Sequence, residues 1–285
     1  TSIAVVTGAL LNIILDPIFM FERGFGLGVA GASIATTISQ FVTAAILFWY
    51  YLSGRSIIKL RWDAIKPTVD LFKTVVTIGI PTAVVQICIA LSTTLTNMAA
   101  ASLPESDLII AAYGVVQRLV LVGHYVILGF MQGYQPVAAY SFGAGDEERF
   151  HESEQFALKG TIFLTLLVEV VYILLSKPLI MLFNQNPAVV EYGSKLLISQ
   201  VAIYPAFGIC YLMTIIFQTI GSAKYGVFLS TLRQGLLYVP FILLLPNFLG
   251  ISGIYLTQPI ADVITIVICI FSYPAMKRVY TQNIN

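Results

Sequence analysis

The sequence predicts an all-α membrane protein with eight transmembrane helices. Of its 285 residues, 58% are hydrophobic and only 10% are charged, and the mean hydropathy is +0.89. Soluble domains carry about 25% charged residues, so this chain lacks the polar side chains that a water-facing surface needs. Segments of about ten residues that alternate between polar and apolar, which are typical of membrane barrels, are absent. The spans are therefore predicted to be helical.

Eight apolar runs are long enough to cross a bilayer. A spanning helix needs about 20 predominantly apolar residues, and runs of this kind lie between charged breaks or breaks rich in Pro and Gly. The predicted spans are residues 2–21, 29–52, 76–102, 108–142, 156–176, 195–220, 226–246 and 251–276.

The basic residues between the spans predict the orientation, because cytoplasmic loops carry an excess of Lys and Arg. The connections on one side hold three such residues, Arg23, Lys177 and Lys195. Those on the other side, which include the C-terminus, hold ten, and this side is predicted to be cytoplasmic in a multi-pass protein of the cell membrane. The ten are Arg55, Lys59, Arg61, Lys66, Lys73, Arg149, Lys159, Lys224, Lys277 and Arg278.

A short internal repeat indicates two related lobes. Gly-Val-Ala-Gly at 28–31 recurs as Gly-Ile-Ser-Gly at 250–253, an offset of 222, and Pro17 matches Pro240 at an offset of 223. An even number of spans separates the copies, so the repeat is parallel, about an axis along the membrane normal. This arithmetic predicts two helices of one six-helix lobe followed by all six of a second. The chain begins at Thr1 inside an apolar run, and we expect it to be a fragment.

The repeat defines the predicted domains. Residues 1–52 are the last two helices of the N-terminal lobe, 76–276 a complete six-helix C-terminal lobe, and 277–285 a cytoplasmic tail. Residues 53–75 form the linker between the lobes. Its Trp62, Ile65, Val69 and Phe72 recur at helical spacing, which predicts a short helix at the cytoplasmic interface.

Asp16 is the strongest candidate for a functional group in the first two spans. An ionisable residue inside a span costs about 2.5–3.5 kcal/mol on insertion scales and marks a functional site. Asn12 lies four residues earlier on the same helical face, and Pro17 follows directly. A carboxyl group removed from water can exchange a proton or a cation near neutral pH. Local capping or pairing near a helix end is the alternative interpretation.

A second polar site is predicted in the later spans. Asp262 lies one helical turn from Gln258, and Glu169 stands in a run whose nearest polar neighbour is Thr165. Two arginines, Arg118 and Arg233, also lie within spans. We expect Glu169 to pair with one of these arginines or to be protonated.

Several classes of function are excluded. The net charge is +1, which indicates no nucleic-acid partner. Cys88, Cys210 and Cys269 lie far apart in apolar runs, so neither a disulfide framework nor a metal site is predicted. No nucleophile elbow, phosphate loop or zinc motif is present, and the chain is not predicted to be an enzyme.

The sequence resembles the multidrug and toxic compound extrusion family. The resemblance rests on Leu11–Phe19, Gly28–Thr36, Gly79-Ile80-Pro81, the Gln-Gly-Tyr-Gln-Pro run at 132–136, and Arg233-Gln234 before Pro240. It implies a twelve-helix protein of two six-helix lobes, of which this chain covers helices 5 to 12. It also implies alternating-access antiport of amphipathic, often cationic, drugs or toxic compounds, driven by protons or sodium ions. We expect a monomer and no cofactor besides the coupling ion.

The same resemblance implies a coupling site formed by Asn12, Asp16 and Thr36, with an Asp from a helix outside this chain. One branch of the family places further acids on its helices 7 and 10, but the matching residues 79–90 and 204–220 contain none. Two alternatives remain open. One is a flippase of lipid-linked oligosaccharides or polysaccharides from the same superfamily, for which Arg118 and Arg233 provide limited cationic charge. The other is a non-transporting membrane scaffold.

Overall fold

The computed structural model describes residues 2–21, 24–54, 68–220 and 223–284, and the regular structure within these ranges is helical. Among them, seven helices are long and apolar enough to cross a membrane, or eight when a bent pair is counted as one span. The prediction of an all-helical protein is confirmed. The chain divides into two compact units, 1–72 and 73–285. Much of the predicted interfacial helix falls on 55–67, outside the described residues.

The first unit contains two long helices, α1 (Ser2–Met20) and α2 (Gly28–Leu52). The connection between them is tight, because the backbone N–H groups of Phe25 and Leu27 donate to the carbonyl oxygens of Ile18 and Phe19, each at 2.9 Å. Gly31 then lies so close to the peptide group after Phe19 that a Cβ atom would overlap it. The glycine therefore allows the two helices to approach through their backbones.

The second unit contains the remaining helices. Glu105, whose backbone has a left-handed conformation, precedes the long helix α4. At the start of α5, Oδ1 of Asp146 accepts a hydrogen bond from the backbone N–H of Arg149 (3.0 Å) and caps the helix. The helices are α3 (Val69–Ala101), α4 (Ser106–Gly143), α5 (Glu147–Leu174), α6 (Ser176–Met181), α7 (Pro187–Val201), α8 (Tyr204–Thr219), α9 (Ala223–Thr231), α10 (Tyr238–Leu249) and α11 (Ile251–Ile284), with a π-helical segment (Leu232–Leu237) between α9 and α10.

The sixth span differs from the single helix predicted over 195–220. It begins earlier, at Pro187, where Asn186 accepts a hydrogen bond from the N–H of Ala188 (3.0 Å), and it bends by 45° between α7 and α8. Pro205 lies in the first turn of α8. Proline supplies no N–H and is tolerated at a helix start, so the chain breaks and restarts at this point.

The seventh span, predicted as one helix over 226–246, contains the π-helical segment. The hydroxyl group of Ser92 donates to the carbonyl oxygen of Gln234 within this segment. Gly235 leaves room for Cys88, whose Sγ lies 2.6 Å from the place where a Cβ would stand. A π-helical turn shifts the side chains that follow it, and such turns are frequent at functional sites.

The core of the second unit is built mainly by α4, α5, α7 and α8. The hydroxyl group of Tyr172 donates to the carbonyl oxygen of Leu119 (2.6 Å) and ties α5 to α4. Thr161 and Thr165 bond their own helix and present methyl groups to Gly208 on α8. These three buried hydroxyl groups thus find backbone acceptors within the helices, as an apolar environment requires.

The predicted repeat has a structural counterpart, but its register differs. Gly28 and Gly250 have positive φ angles of 55° and 56°, and Gly253 is pressed against the peptide group after Leu245 as Gly31 is against that after Phe19. These contacts join residues 12 apart (31 − 19) in the first pair and 8 apart (253 − 245) in the second. Because the second connection is four residues shorter, Pro240 lies about one helical turn before the position that corresponds to Pro17. The predicted match of these two prolines is therefore wrong.

Candidate functional site

The first unit brings the three predicted coupling residues together. The side-chain amide of Asn12 donates to Oδ1 of Asp16 (3.1 Å) and to Oγ1 of Thr36 (3.4 Å) on the neighbouring helix. Asn12 and Asp16 are half-buried, whereas Thr36 is exposed. Among the described residues, no Lys, Arg or His side chain pairs with Asp16. We call Asn12, Asp16 and Thr36 the first-unit cluster.

The cluster offers oxygen atoms without a compensating positive charge. Within the described part of the chain Asp16 accepts one hydrogen bond, from Asn12, so its second carboxylate oxygen and the amide oxygen of Asn12 remain available to a proton or a small hard cation. Hard cations prefer carboxylate, carbonyl and hydroxyl oxygens. The chemistry of the residues therefore suits the binding of a proton or sodium ion.

The second unit holds a buried ion pair. Nε of Arg233 donates to Oδ1 of Asp262 (2.7 Å), and its Nη2 donates to Oδ2 (3.3 Å). The side-chain amide of Gln258 donates to the same Oδ1 (2.8 Å). Asp262 is only 1% exposed and Arg233 is 7% exposed. The guanidinium group also lies over the ring of Phe207, at 5.0 Å from its centre.

This geometry compensates the charge of Asp262 fully. Two oxygen atoms receive three hydrogen bonds, two of them from a guanidinium fork whose shape matches a carboxylate. A buried carboxylate in such a setting needs its partner, because an unpaired buried charge is strongly destabilising. The arrangement indicates a structural ion pair that joins the π-helical segment to α11.

A cavity of about 360 Å³, with several polar side chains in a largely apolar wall, lies next to this ion pair. We call it the second-unit cavity. Four glutamines and two arginines contribute to its wall, and among the described lining residues there is no carboxylate. The lining residues are Ile89, Ser92, Thr93, Tyr113, Gln117, Arg118, Val120, Leu121, His124, Gln200, Arg233, Gln234, Tyr238 and Gln258.

Three of the four residues predicted for a second polar site meet here. Arg118 and Gln258 line the second-unit cavity, and Asp262 lies behind Gln258. Glu169 does not join them, and its expected pairing with Arg233 is wrong, since Asp262 occupies that guanidinium group. No ion pair in the described part of the chain joins Glu169 to Arg118, and its Oε2 is buried without a hydrogen-bond partner there.

Sequence reasoning missed several cavity residues. Gln117 and Gln234 each adjoin an arginine that was recognised, so the Gln-Arg and Arg-Gln pairs were a usable signal. Gln200 stands alone near the end of α7, and only its amide in an apolar run could have indicated it. His124 packs on Phe207, with ring centres 4.2 Å apart, and its position depends on the packing of α4 on α8.

The cysteines and acids of the described residues do not assemble a metal site. No group of three or more His, Cys, Asp or Glu side chains within those ranges is arranged so that it could hold a metal ion. Cys210 and Cys269 approach each other inside the second unit, with 3.1 Å between their sulfur atoms, and both are free thiols. This close pair is a contact between α8 and α11 that their spacing in the sequence does not reveal.

The fold and the two polar centres define a polytopic α-helical membrane protein with ionisable groups within its spans. A family model described as MatE matches residues 81–244. The chain therefore belongs to the MatE family, the multidrug and toxic compound extrusion proteins that it was predicted to resemble.

Known proteins and structures agree with this assignment. The multidrug export protein MepA of Staphylococcus aureus (strain N315) is 28% identical over 253 residues, which cover 88% of this chain and 54% of MepA. The chain thus spans about half the length of the curated relatives it matches. A crystal structure of MATE in complex with MaL6 superposes with a TM-score of 0.84 at 21% identity, covering 98% of this chain and 63% of that one.

A second solved structure, the outward-facing conformation of a multidrug resistance MATE family transporter of the MOP superfamily, also superposes with a TM-score of 0.84, at 20% identity. The match covers 98% of this chain and 62% of that one. These likenesses establish the fold, which is that of twelve-helix, two-lobe transporters.

Proposed function

We propose that the protein, at its natural length, is an antiporter that exports amphipathic, often cationic, compounds in exchange for protons or sodium ions by alternating access. The observation that carries the proposal is the first-unit cluster. In it, the Asp16 carboxylate is held by Asn12 at 3.1 Å, beside Thr36 and without a cationic partner among the described residues. Membership of the MatE family and the likeness to MepA, a multidrug export protein, support the choice of substrate class.

Coupling requires a group whose charge changes between two states of the protein. An ion can shift a conformational equilibrium only when it binds the two states with different affinity. Asp16 meets this requirement, because nothing described fixes its negative charge. Asp262 does not, because Arg233 and Gln258 already bind its carboxyl group. Pro17 stands next to Asp16 in α1 and interrupts the backbone bonding at the point where a change in helix geometry can start.

The test is the substitution Asp16→Asn in the natural-length protein, reconstituted in vesicles that carry a proton or sodium gradient. Asparagine keeps the shape of the side chain but cannot titrate. Efflux of a cationic dye driven by the gradient should therefore collapse, while the protein still folds and reaches the membrane. Glu169→Gln is the matched control and should have the smaller effect, because Glu169 lacks comparable partners. Wild-type pumping by Asp16→Asn, with pumping lost in Glu169→Gln or Asp262→Asn, would place coupling in the second unit.

A flippase of lipid-linked oligosaccharides is the second candidate, because the second-unit cavity has arginines and no carboxylate in its described lining. The neutralisation of Arg233 by Asp262 argues against it. Arg118 alone remains to meet a pyrophosphate group that carries more than one negative charge. Competition of a lipid pyrophosphate with dye for the purified protein would favour the flippase.

We also propose that the protein lies in the cell membrane with a cytoplasmic C-terminus, on the basis of the ten-to-three asymmetry of basic residues in the connections. We propose in addition that it is a monomer. A variant with its native cysteines replaced and with Gln282→Cys should resist an impermeant thiol reagent added to intact cells. Ready labelling from outside would reverse the orientation.

A further inference from the structure

The second-unit cavity contains a positive charge that nothing in its described surroundings compensates. Arg118 lies on α4 and lines the cavity with an exposed side chain. Among the described residues, no carboxylate or other acceptor is bonded to it. The second arginine of the cavity, Arg233, is already neutralised by Asp262. The cavity therefore has a net positive charge located on Arg118.

A cation inside a membrane span is unfavourable unless it meets water, a counter-charge or a ligand. Arg118 stands in the first half of the long helix α4, and its apolar neighbours Val116, Leu119 and Val120 are buried in the core. Their packing fixes the backbone of α4 at this point and places the side chain of Arg118 at the cavity wall. A recognition residue needs a rigid element of this kind beneath it.

The rest of the wall supplies the other elements of a binding site. Gln117, Gln200 and Gln234 provide side-chain amides, and Tyr113 provides a hydroxyl group. Ile89, Val120 and Leu121 add apolar surface. A guanidinium group with neutral donors binds carboxylate, sulfonate or phosphate oxygens, often through two parallel hydrogen bonds. The volume of about 360 Å³ lies in the range of pockets for small molecules.

We propose that the second-unit cavity binds the anionic oxygen group of an amphipathic compound, with Arg118 as its direct ligand. The apolar part of the compound then lies against Val120 and Leu121. The binding of such a compound to Arg118 does not depend on the proposed function. Only the export of the bound compound rests on it.

Rhodamine B and its ethyl ester provide the matched probes. They share one xanthene cation, but rhodamine B carries a carboxylate that the ester lacks. Binding to the purified natural-length protein in phosphatidylcholine nanodiscs is measured by fluorescence polarisation. Arg118→Gln should weaken binding of rhodamine B about tenfold or more, because a hydrogen-bonded charge pair is lost. Binding of the ester should stay within about twofold of wild type, since it makes no such pair.

Two control variants separate recognition from folding and from general charge. Arg149→Gln removes an exposed arginine that lies over Tyr140, outside the cavity, and should leave both dyes unaffected. Arg118→Lys keeps the charge but loses the fork, so it should recover part of the affinity for rhodamine B. The thermal unfolding of Arg118→Gln should match that of the wild type.

Equal effects of Arg118→Gln on both dyes, or no effect on either, would overturn the inference. So would a loss of thermal stability that accounts for weaker binding of both. A second arm adds phosphatidylglycerol to the nanodiscs. If this lipid abolishes the preference for the carboxylate, the anionic group belongs to a lipid headgroup and the assignment to a transported compound fails. If neither dye is exported but Arg118 still discriminates between them in binding, the proposed function fails and the binding site stands.

Discussion

The helix pairs α1–α2 and α10–α11 have the same plan and different polar centres. Each enters its second helix through a glycine with positive φ and then presses a second glycine, Gly31 or Gly253, against the backbone of the first helix. In the first pair the acid, Asp16, stands on the first helix and is half-buried beside a neutral amide. In the second pair the acid, Asp262, stands on the second helix, fully buried and bound by an arginine.

The difference teaches that the partner, and not the helix plan, determines what an acid in a membrane span can do. A carboxylate in a guanidinium fork keeps its charge, because protonation would leave the buried arginine unpaired. A carboxylate beside an amide and a hydroxyl group loses little when it takes up a proton or a cation. We therefore assign the proposed coupling to the first pair and a structural role to the second, and four sets of substitutions test this contrast.

The largest effect on stability is expected for Arg233→Gln. It leaves Asp262 buried without its cation, which should lower the free energy of unfolding by about 3–5 kcal/mol. The measurement is a denaturant titration of the natural-length protein in mixed micelles. Arg118→Gln is the matched control and should change stability by less than about 0.5 kcal/mol, since its side chain is exposed.

The double variant Arg233→Met with Asp262→Leu sharpens this result. It removes both charges and keeps the volume, so it should recover most of the stability that Arg233→Gln loses, as seen when buried ion pairs are replaced by apolar residues. A single substitution of Arg233 without any cost would show that the pair contributes nothing, and the contrast between the two helix pairs would fail.

The next effect is expected for the glycines at the two helix crossings. Gly31→Ala and Gly253→Ala each introduce a methyl group against a backbone carbonyl, which should cost about 1–3 kcal/mol as the helices move apart. Gly129→Ala on α4 is the control, because nothing lies within 4 Å of its added Cβ. That variant should be neutral or slightly stabilised in the same titration. Different losses of stability for Gly31→Ala and Gly253→Ala would show that the two helix crossings are not equivalent.

Effects of similar size at Gln258 and of smaller size at Asn12 are expected when the neutral donors are removed. Gln258→Ala deletes a buried hydrogen bond to a charged group and should cost about 1.5–3 kcal/mol. Asn12→Ala deletes a half-buried bond that water can replace, and should cost about 0.5–1 kcal/mol. Unfolding titrations of the two variants side by side give the ranking. If Asn12→Ala cost more stability than Gln258→Ala, the hydrogen bond from Asn12 to Asp16 would contribute more to folding than the bond from Gln258 to Asp262.

The smallest change in stability is expected for Asp16→Asn, at less than about 0.5 kcal/mol, because the shape is kept and no ion pair is broken. The same variant should lose gradient-driven export, so stability and coupling separate at this residue. Asp262→Asn should show the opposite relation, with a clear loss of folded protein. A large destabilisation by Asp16→Asn would instead indicate that Asp16 is a structural residue.

The helices and the first-unit cluster could be predicted because their causes are local. A run of about 20 apolar residues needs a helix to satisfy its backbone inside a bilayer, whatever its neighbours are. Asn12 and Asp16 are four residues apart on one helix, so the helix itself brings them together. Thr36 was placed by the family resemblance, and the tight connection between α1 and α2 brings it to Asn12.

The partners in the second unit depended on packing between helices. Arg233 had two acids available in the sequence, Glu169 and Asp262, and nothing local distinguishes them. The 29 residues that separate Arg233 from Asp262 are bridged only when α10 and α11 form their hairpin. The π-helical segment then turns Arg233 and Gln234 by an amount that no residue pattern encodes.

By itself the sequence determined the membrane class, the helical content, the number of spans within one, and the acid with its amide neighbour, since all of these follow from hydropathy and from spacing along one helix. Only the tertiary structure decided which acid Arg233 binds, where the second-unit cavity lies, and that Cys210 meets Cys269. Contacts between distant segments depend on how complete helices pack against one another. That packing is determined by the whole surface of each helix and by irregular points such as Pro205 and the π-helical segment.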